Sequence, residues 1–265
     1  MAARVITITS GKGGVGKTTG VANLGVSLAQ EGNRVIVVDA DIGLRNLDVV
    51  MGLENRIVYD LVDVIEGTAR LQQALIRDKR LPELHLLPAA QTRDKTAISP
   101  HQMATLCDEL RQQCDFVLID SPAGIEQGFQ NAVEGADEAI IVTTPDVAAV
   151  RDADRIVGLL EANGKGTPRL IVNRIKPDMV RRGDMLATED VLEVLVIELL
   201  GIVPEDENII VHTNKGIPIA LDGQSPAAQA FRNIGKRILG QDVPLMTLSE
   251  ESRILDRMRR LVGRG

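Results

Sequence analysis

Short runs of consecutive apolar residues alternate along this chain with longer stretches of helical spacing. The runs cover Val5 to Thr9, Arg34 to Asp39, Leu84 to Pro88, Phe116 to Asp120, Ala139 to Thr144, Leu170 to Asn173 and Ile202 to Val203. Strands separated by helices in this rhythm predict repeated βαβ units around a mainly parallel sheet. Several runs are apolar on successive rather than alternate positions, the pattern of strands covered on both faces. The expected fold class is α/β, with three layers: a mainly parallel central sheet flanked by helices on both faces. Helix punctuation agrees with it. One helix is expected from Lys17 to Glu31, stopped by Gly32, and another opens at Thr188-Glu-Asp and runs to a stop at Gly201. The linker candidate is Gly240-Gln-Asp-Val-Pro244, which divides the chain into a domain over 1–245 and a short tail over 246–265.

Composition narrows the function classes. With 44% apolar and 25% charged residues over 265 positions, the chain has ordinary globular usage. Three Phe, one Tyr and no Trp leave little to stack on bases, which argues against a single-strand-binding platform. A net charge of -7 repels nucleic acid, so no specific nucleic-acid partner is expected and an anionic partner must meet a local patch. Cys107 shares a helical stripe with Met103, Leu106 and Leu110, and Cys114 precedes an apolar strand, so both are expected in the core rather than in a disulfide or metal site. The chain enters a strand pattern directly after Met1-Ala-Ala-Arg, without a signal-peptide segment, and no run approaches the roughly 20 apolar residues of a membrane span. Cytoplasmic residence is expected, with a membrane reachable only from its surface.

The sharpest motif sits between the first strand and the first helix. Gly11, Lys12, Gly13, Gly14, Val15, Gly16, Lys17 and Thr18 fit GxxxxGK[ST] in the strand–loop–helix context its chemistry requires. Glycines let backbone N–H groups curl around phosphate oxygens, and the helix N-terminus adds a favourable dipole. Lys17 is placed to reach the β- and γ-phosphates and the Thr18 hydroxyl to bind Mg²⁺. Two strands end in carboxylates, at Asp120 and at Asp39, with Asp41 two residues on; parallel sheets bind ligands at this edge, so Asp39 and Asp120 are candidate Mg²⁺ ligands with Thr18. A terminal Asp is also a common turn former. The base expected is adenine, because Asn173-Arg174-Ile-Lys176 carries lysine where a guanine reader needs Asp; Asn173 and Arg174, with Pro204, Glu205 and Asp206, are the candidate base loop.

The second loop lysine, Lys12, is not demanded by the general motif. With it, the run through Thr19 resembles the deviant Walker A loop of the MinD/ParA family. Further stretches are similar to the MinD branch: Asp39-Ala-Asp41-Ile-Gly-Leu-Arg-Asn46-Leu-Asp48 resembles its switch I and Asp120-Ser-Pro-Ala-Gly124-Ile-Glu126 its switch II. So do Gln91-Thr-Arg-Asp-Lys95, Val150-Arg-Asp-Ala-Asp154-Arg, Arg182-Gly-Asp-Met185 and Val203-Pro-Glu-Asp206, so the resemblance spans essentially the whole chain. It implies a P-loop NTPase fold, ATP and Mg²⁺ as ligands, and ATP-dependent homodimerisation with Lys12 reaching the partner's phosphates. Asp41 is then the residue that positions the attacking water. An ordinary Asp, with a pKa near 3.9, is a weak base at neutral pH. The resemblance also implies that Asn46, Arg151, Asp152 and Asp154 form a surface for the division inhibitor MinC and, overlapping it, the activator MinE. The alternative within the family is a partition ATPase of the ParA kind, which binds DNA non-specifically and would need a basic surface.

The tail carries its own pattern. After Thr247-Leu-Ser-Glu250, a capping-box spacing, Ile254, Leu255, Met258, Leu261 and Val262 fall within a stripe of about 120° on a helix. Arg257 and Arg259 flank the stripe and Arg260 lies farther round; from Ser252 onward there are five Arg against one Asp. A helix lying in an anionic lipid interface has this layout. A last helix packed on the domain fits the same periodicity. The tail's sign reversal, and its place where the resembled family carries a membrane-targeting sequence, favour the lipid surface. The location expected is therefore peripheral, on the inner face of the cell membrane.

Overall fold

In the computed structural model, which describes residues 3–94 and 97–246, the elements follow the expected alternation. They are β1 (Arg4–Thr9), α1 (Lys17–Gln30), β2 (Val35–Asp39), α2 (Leu47–Met51), α3 (Leu61–Ile65), α4 (Leu71–Ala74), β3 (Ile76–Arg77) and β4 (Leu84–Leu87). Then come α5 (Pro100–Arg111), β5 (Phe116–Asp120), α6 (Gln127–Glu134), β6 (Glu138–Thr143), α7 (Val147–Ala162) and β7 (Arg169–Ile175). The last are α8 (Pro177–Arg182), α9 (Thr188–Leu195), β8 (Glu198–Pro204), α10 (Glu207–Thr213) and α11 (Pro226–Ile238). One eight-stranded sheet runs in the order β3-β4-β2-β5-β1-β6-β7-β8. All its neighbours pair in parallel except β3, which turns back antiparallel on β4.

Continuous apolar strands are satisfied from both sides. Val35 and Val37 face one core, shared with α1 and α11 through residues such as Leu24, Leu28, Phe231 and Ile234. Ile36 and Val38 face the other, with Leu106, Cys107 and Leu110 of α5. A third cluster beside it joins Ile141 and Val172 to α7 and α9. Both cysteines lie in the core as expected, and burial pushes both thiols up to about 12, so neither ionises near neutrality. Among the described residues, no helix is long and apolar enough to cross a membrane.

Two features of the fold depart from the expected elements. The two-residue strand β3 is too short to leave a hydrophobic run and was not anticipated. The helix opened at Thr188 ends at Leu195, with Val196 in the left-handed region at φ 50°, and Gly201 lies inside β8 instead of stopping a helix. A Cβ on Gly201 would stand 2.4 Å from Ile234 Cγ1, so glycine is there for the close approach of α11, beside a register shift in the β7–β8 ladder. The end of the linker candidate, Val243 and Pro244, contacts the last helix. The Arg237 guanidinium donates to the carbonyls of Leu200 at 2.8 Å, Val243 at 2.8 Å and Pro244 at 2.5 Å. The tail residues Ile254, Leu255, Arg257, Met258, Arg259, Arg260, Leu261 and Val262 lie outside the described residues.

Overpacking at the Gly201 contact should cost about 1–3 kcal/mol. In urea denaturation, Gly201→Ala is expected to lower stability by that amount. The double variant with Ile234→Ala should lose less than the sum of the two single changes, because each relieves the space the other disturbs.

Candidate nucleotide-binding site

The phosphate loop leaves β1 at the carboxyl edge of the sheet. Gly14 and Gly16 take φ values of 80° and 100°, which a side chain would strain. Two close approaches hold the loop. Asn173, at the end of β7 and 4% exposed, donates its amide to the Val15 carbonyl at 2.7 Å. A Cβ on Gly16 would stand 2.2 Å from that same Asn173 nitrogen. On the other flank a Cβ on Gly11 would stand 2.3 Å from the Asp152 backbone in α7. Within the loop the Ser10 hydroxyl donates to the Lys12 carbonyl at 2.9 Å.

At the start of α1, Gly16 supplies no side-chain cap and the first turn holds no acidic residue. Its leading N–H groups and the positive end of its dipole are therefore left for an anion. Lys17, only 8% exposed, brings a desolvated cation to the same place, and Thr18 follows it.

The two strand-end carboxylates stand side by side, with Asp39 of β2 in register with Asp120 of β5. Asp39 is nearly fully occupied: Oδ1 accepts from Asp41 N at 3.0 Å and Oδ2 from Asn46 N and Leu47 N, both at 3.0 Å. The Thr18 hydroxyl lies beside Asp120 and favours its charged form, while Asp120 Oδ1 is buried without a hydrogen-bond partner among the described residues. Burial, with the Asp39 charge next to it, raises the Asp120 carboxyl to about 7 against the pull of Lys17. Burial likewise raises Asp39 to about 6, opposed by its three backbone donors. Two buried carboxylates with one orphaned oxygen, beside a threonine hydroxyl, are a hard-oxygen donor set that Mg²⁺ fits.

Asp41 lies half-buried just past Asp39, where Ala40, Asp41 and Ile42 face Pro122, Ala123 and Glu126 across a small cleft. The segments expected to act as switches thus meet beside the phosphate loop. Lys12 points elsewhere. Its Nζ is 4.0 Å from Asp146 Oδ1, with each side chain 51% exposed, an ion pair worth roughly 0–1 kcal/mol. Asp146 caps α7 by accepting from Ala149 N at 3.0 Å, and this role was missed. An Asp three residues before the first buried position of a helix is the signal that could have found it.

The base loop is only partly as expected. Arg174, in the left-handed region at φ 58°, comes within 4.0 Å of Glu205, so the ends of β7 and β8 do meet. Asp206, however, is committed to structure. One oxygen accepts from Asn208 N at 3.0 Å and the other from the Ser225 hydroxyl and from Ala227 N at 3.3 Å, so the carboxylate caps α10 and the start of α11 together. Those donors hold its pKa below the usual carboxylate value, against burial, and leave its side chain unsuited to reading a base. Pro204 is buried at the end of β8. Asn46 is exposed at the entry to α2, and Arg151, Asp152 and Asp154 lie on one stretch of α7, with Asp152 against Gly11.

Residues 6–219 match the CobQ/CobB/MinD/ParA nucleotide binding domain. The septum site-determining protein MinD of Bacillus subtilis is 58% identical over 250 residues, covering 94% of this chain and 93% of that protein. The chain belongs to the MinD/ParA family of P-loop ATPases. Among solved structures, MinD in the MinC:MinD cell division protein complex of Aquifex aeolicus superposes with a TM-score of 0.87 at 49% identity, covering 93% of this chain and 100% of that one. MinD of Pyrococcus horikoshii, solved with Mg-ADP, superposes at 0.80 with 32% identity, covering 89% and 96%. Family membership makes this chain a P-loop ATPase.

Two outcomes check this geometry. Truncating Asn173 to Ala leaves the Val15 carbonyl unpaired at a cost of about 1–3 kcal/mol, and should weaken ADP binding by roughly tenfold in calorimetric titration. The second concerns pH. Because folded Asp120 holds its proton up to about 7 and the unfolded residue only to about 3.8, this group's contribution disfavours folding increasingly as pH rises through that window. In nucleotide-free protein, the melting temperature of Asp120→Asn relative to the parent should therefore rise between pH 5 and pH 8 (about one unit beyond the folded value). A flat difference would contradict the assignment.

Proposed function

We propose that this chain is a nucleotide-switched ATPase of the division-site kind. It pairs with a second copy when ATP is bound, attaches to an anionic membrane through its tail, and leaves after hydrolysis. The observation that carries the reading is the placement of Lys12. It sits on the phosphate loop with its ammonium turned to Asp146, and among the described residues its ion pair is this weak, half-exposed one, so a second subunit's phosphates can take it at little cost. The septum site-determining relatives supply the cellular role, and the MinC:MinD complex of Aquifex aeolicus supports a division inhibitor as partner.

The chemistry follows from the residues. The loop N–H groups, the α1 terminus and Lys17 bind and orient the β- and γ-phosphates. Asp39, Asp120 and Thr18 hold Mg²⁺, which neutralises charge on the phosphate oxygens when bound. Asp41 orients water in line with the γ-phosphate, and Lys12 of the opposite copy stabilises charge spread over the loose transition state, as an arginine finger does. Hydrolysis is thereby tied to pairing. Arg174 and Glu205 flank the base. Asn46, Arg151, Asp152 and Asp154 present the surface for MinC and for a MinE-like activator. Residues 246–265 form the anchor. One short amphipathic helix is marginal in water and binds lipid weakly, whereas two copies in one dimer gain about 10²- to 10⁴-fold by effective concentration.

Lys12→Ala should abolish ATP-dependent dimerisation and activator-stimulated hydrolysis together, read by light scattering and phosphate release. A variant that still dimerises and turns over normally defeats the trans role. Removing residues 252–265 should leave ATP-dependent dimerisation intact and end co-sedimentation with anionic vesicles. Undiminished sedimentation of the truncated protein would place the anchor elsewhere.

A further inference from the structure

The unanticipated strand β3 runs antiparallel to β4 and leads into a turn at the amino-terminal edge of the sheet, the edge opposite the nucleotide site. Asp78 is 1% exposed, and its N–H donates to the Leu84 carbonyl at 2.9 Å, which closes the turn onto β4. Arg80 grips this carboxylate with two prongs, Nε to Oδ1 at 3.0 Å and Nη2 to Oδ2 at 2.6 Å, and its backbone N–H adds a third bond at 2.7 Å. This two-pronged pair, buried at its Asp78 end, fixes where the guanidinium points, since a planar fork held on a carboxylate has little freedom left.

The same guanidinium donates to two carbonyls from other parts of the chain. Nη2 reaches Met51 O at 2.6 Å and Nη1 reaches Gly216 O at 2.9 Å. Met51 ends α2, and Gly216 lies in the loop that follows α10. At this point the two backbones touch. A Cβ on Gly52 would stand 2.5 Å from Gly216 O, a Cβ on Gly216 would stand 2.5 Å from Gly52 Cα, and both residues have positive φ, at 65° and 64°. A side chain at either position would push α2 and the α10 loop apart.

Each partner leads to a different end of the nucleotide site. The five-residue helix α2 starts on Asp39, whose Oδ2 takes the N–H groups of Asn46 and Leu47. In the other direction α10 starts at Asp206, next to Glu205 and its contact with Arg174. An unbroken line of hydrogen bonds and short helices therefore joins the metal-side carboxylate to the base-side loop, with Arg80 at its midpoint.

We infer that Arg80 is a positioning residue for nucleotide binding: it couples Asp39, through α2, to the α10 loop, so that the metal end and the base end of the site are set together. The inference rests on the reading above, in which Asp39 faces Mg²⁺ and the ends of β7 and β8 face the base. A lysine at position 80 keeps a charge for Asp78 but lacks the planar fork that serves a carboxylate and two carbonyls at once.

The test measures affinity for a fluorescent ADP analogue, N-methylanthraniloyl-ADP, in EDTA and in Mg²⁺. In the parent protein Mg²⁺ should tighten binding. In Arg80→Lys the tightening should shrink by at least about threefold while affinity in EDTA stays within about twofold, the signature of lost coupling between two sites. Gly216→Ala leaves the Arg80–Asp78 pair in place and parts the two backbones, so it should show the same loss. It decides alone if melting without nucleotide shows that Arg80→Lys does not fold. A purely structural role predicts an equal weakening in both buffers, and that result, or an unchanged tightening, overturns the inference. If Mg²⁺ leaves even the parent affinity unchanged, the metal reading fails first and this inference falls with it.

Discussion

Two carboxylates buried side by side at the ends of β2 and β5 are tolerable only if positive charge comes to them, and much of the site is arranged around that debt. Lys17 meets part of it from the first turn of α1, and three backbone N–H groups meet another part at Asp39. What remains is the orphaned oxygen of Asp120, which nothing in the described chain satisfies. Desolvation makes the site expensive when empty, and it makes a bound divalent ion worth more there than it would be in water. The segments proposed as switches leave the sheet at these same two residues, so whatever neutralises the carboxylates also acts on the backbone that follows them.

The glycine-rich loop after β1, proposed to receive the phosphates, is itself held by its neighbours. Asn173 reaches across from β7 to the Val15 carbonyl, and the absence of a side chain at Gly16 is what lets it come so close. Ser121 N donates to the Ile8 carbonyl at 3.1 Å, and the Ser121 hydroxyl lies 3.1 Å from that of Thr9, which ties the start of the second switch to the strand beneath the loop. Preorganisation of this kind matters because a phosphate cradle assembled only on binding would spend affinity on ordering itself.

Most of this was legible in the amino-acid sequence, for reasons that differ by element. The parallel strands announced themselves because burial on both faces requires unbroken apolar runs, and the phosphate loop because its glycines and lysine are demanded by backbone geometry and charge. Asp39 and Asp120 could be placed at one edge because every strand before a helix in such a sheet ends there. Other features were hidden because they depend on contacts distant in sequence. Gly201 looked like a helix stop, and only the approach of Ile234 explains it. Asp206 looked like part of a base pocket, but Ser225 and Ala227 claim its carboxylate from some twenty residues away. β3 has two residues and no periodicity to detect, and Asn173 was expected to face a ligand before its bond to Val15 could be known.

The contact between Gly11 and α7 also bears on how an outside protein could influence the site. The main chain of Asp152 fills the space a side chain at position 11 would need, so backbone rests on backbone with no flexible group between. Side chains absorb small displacements by changing rotamer, whereas a peptide plane passes them on. A shift of α7 would thus bear directly on the start of the glycine-rich loop, with little room between the two backbones to take it up.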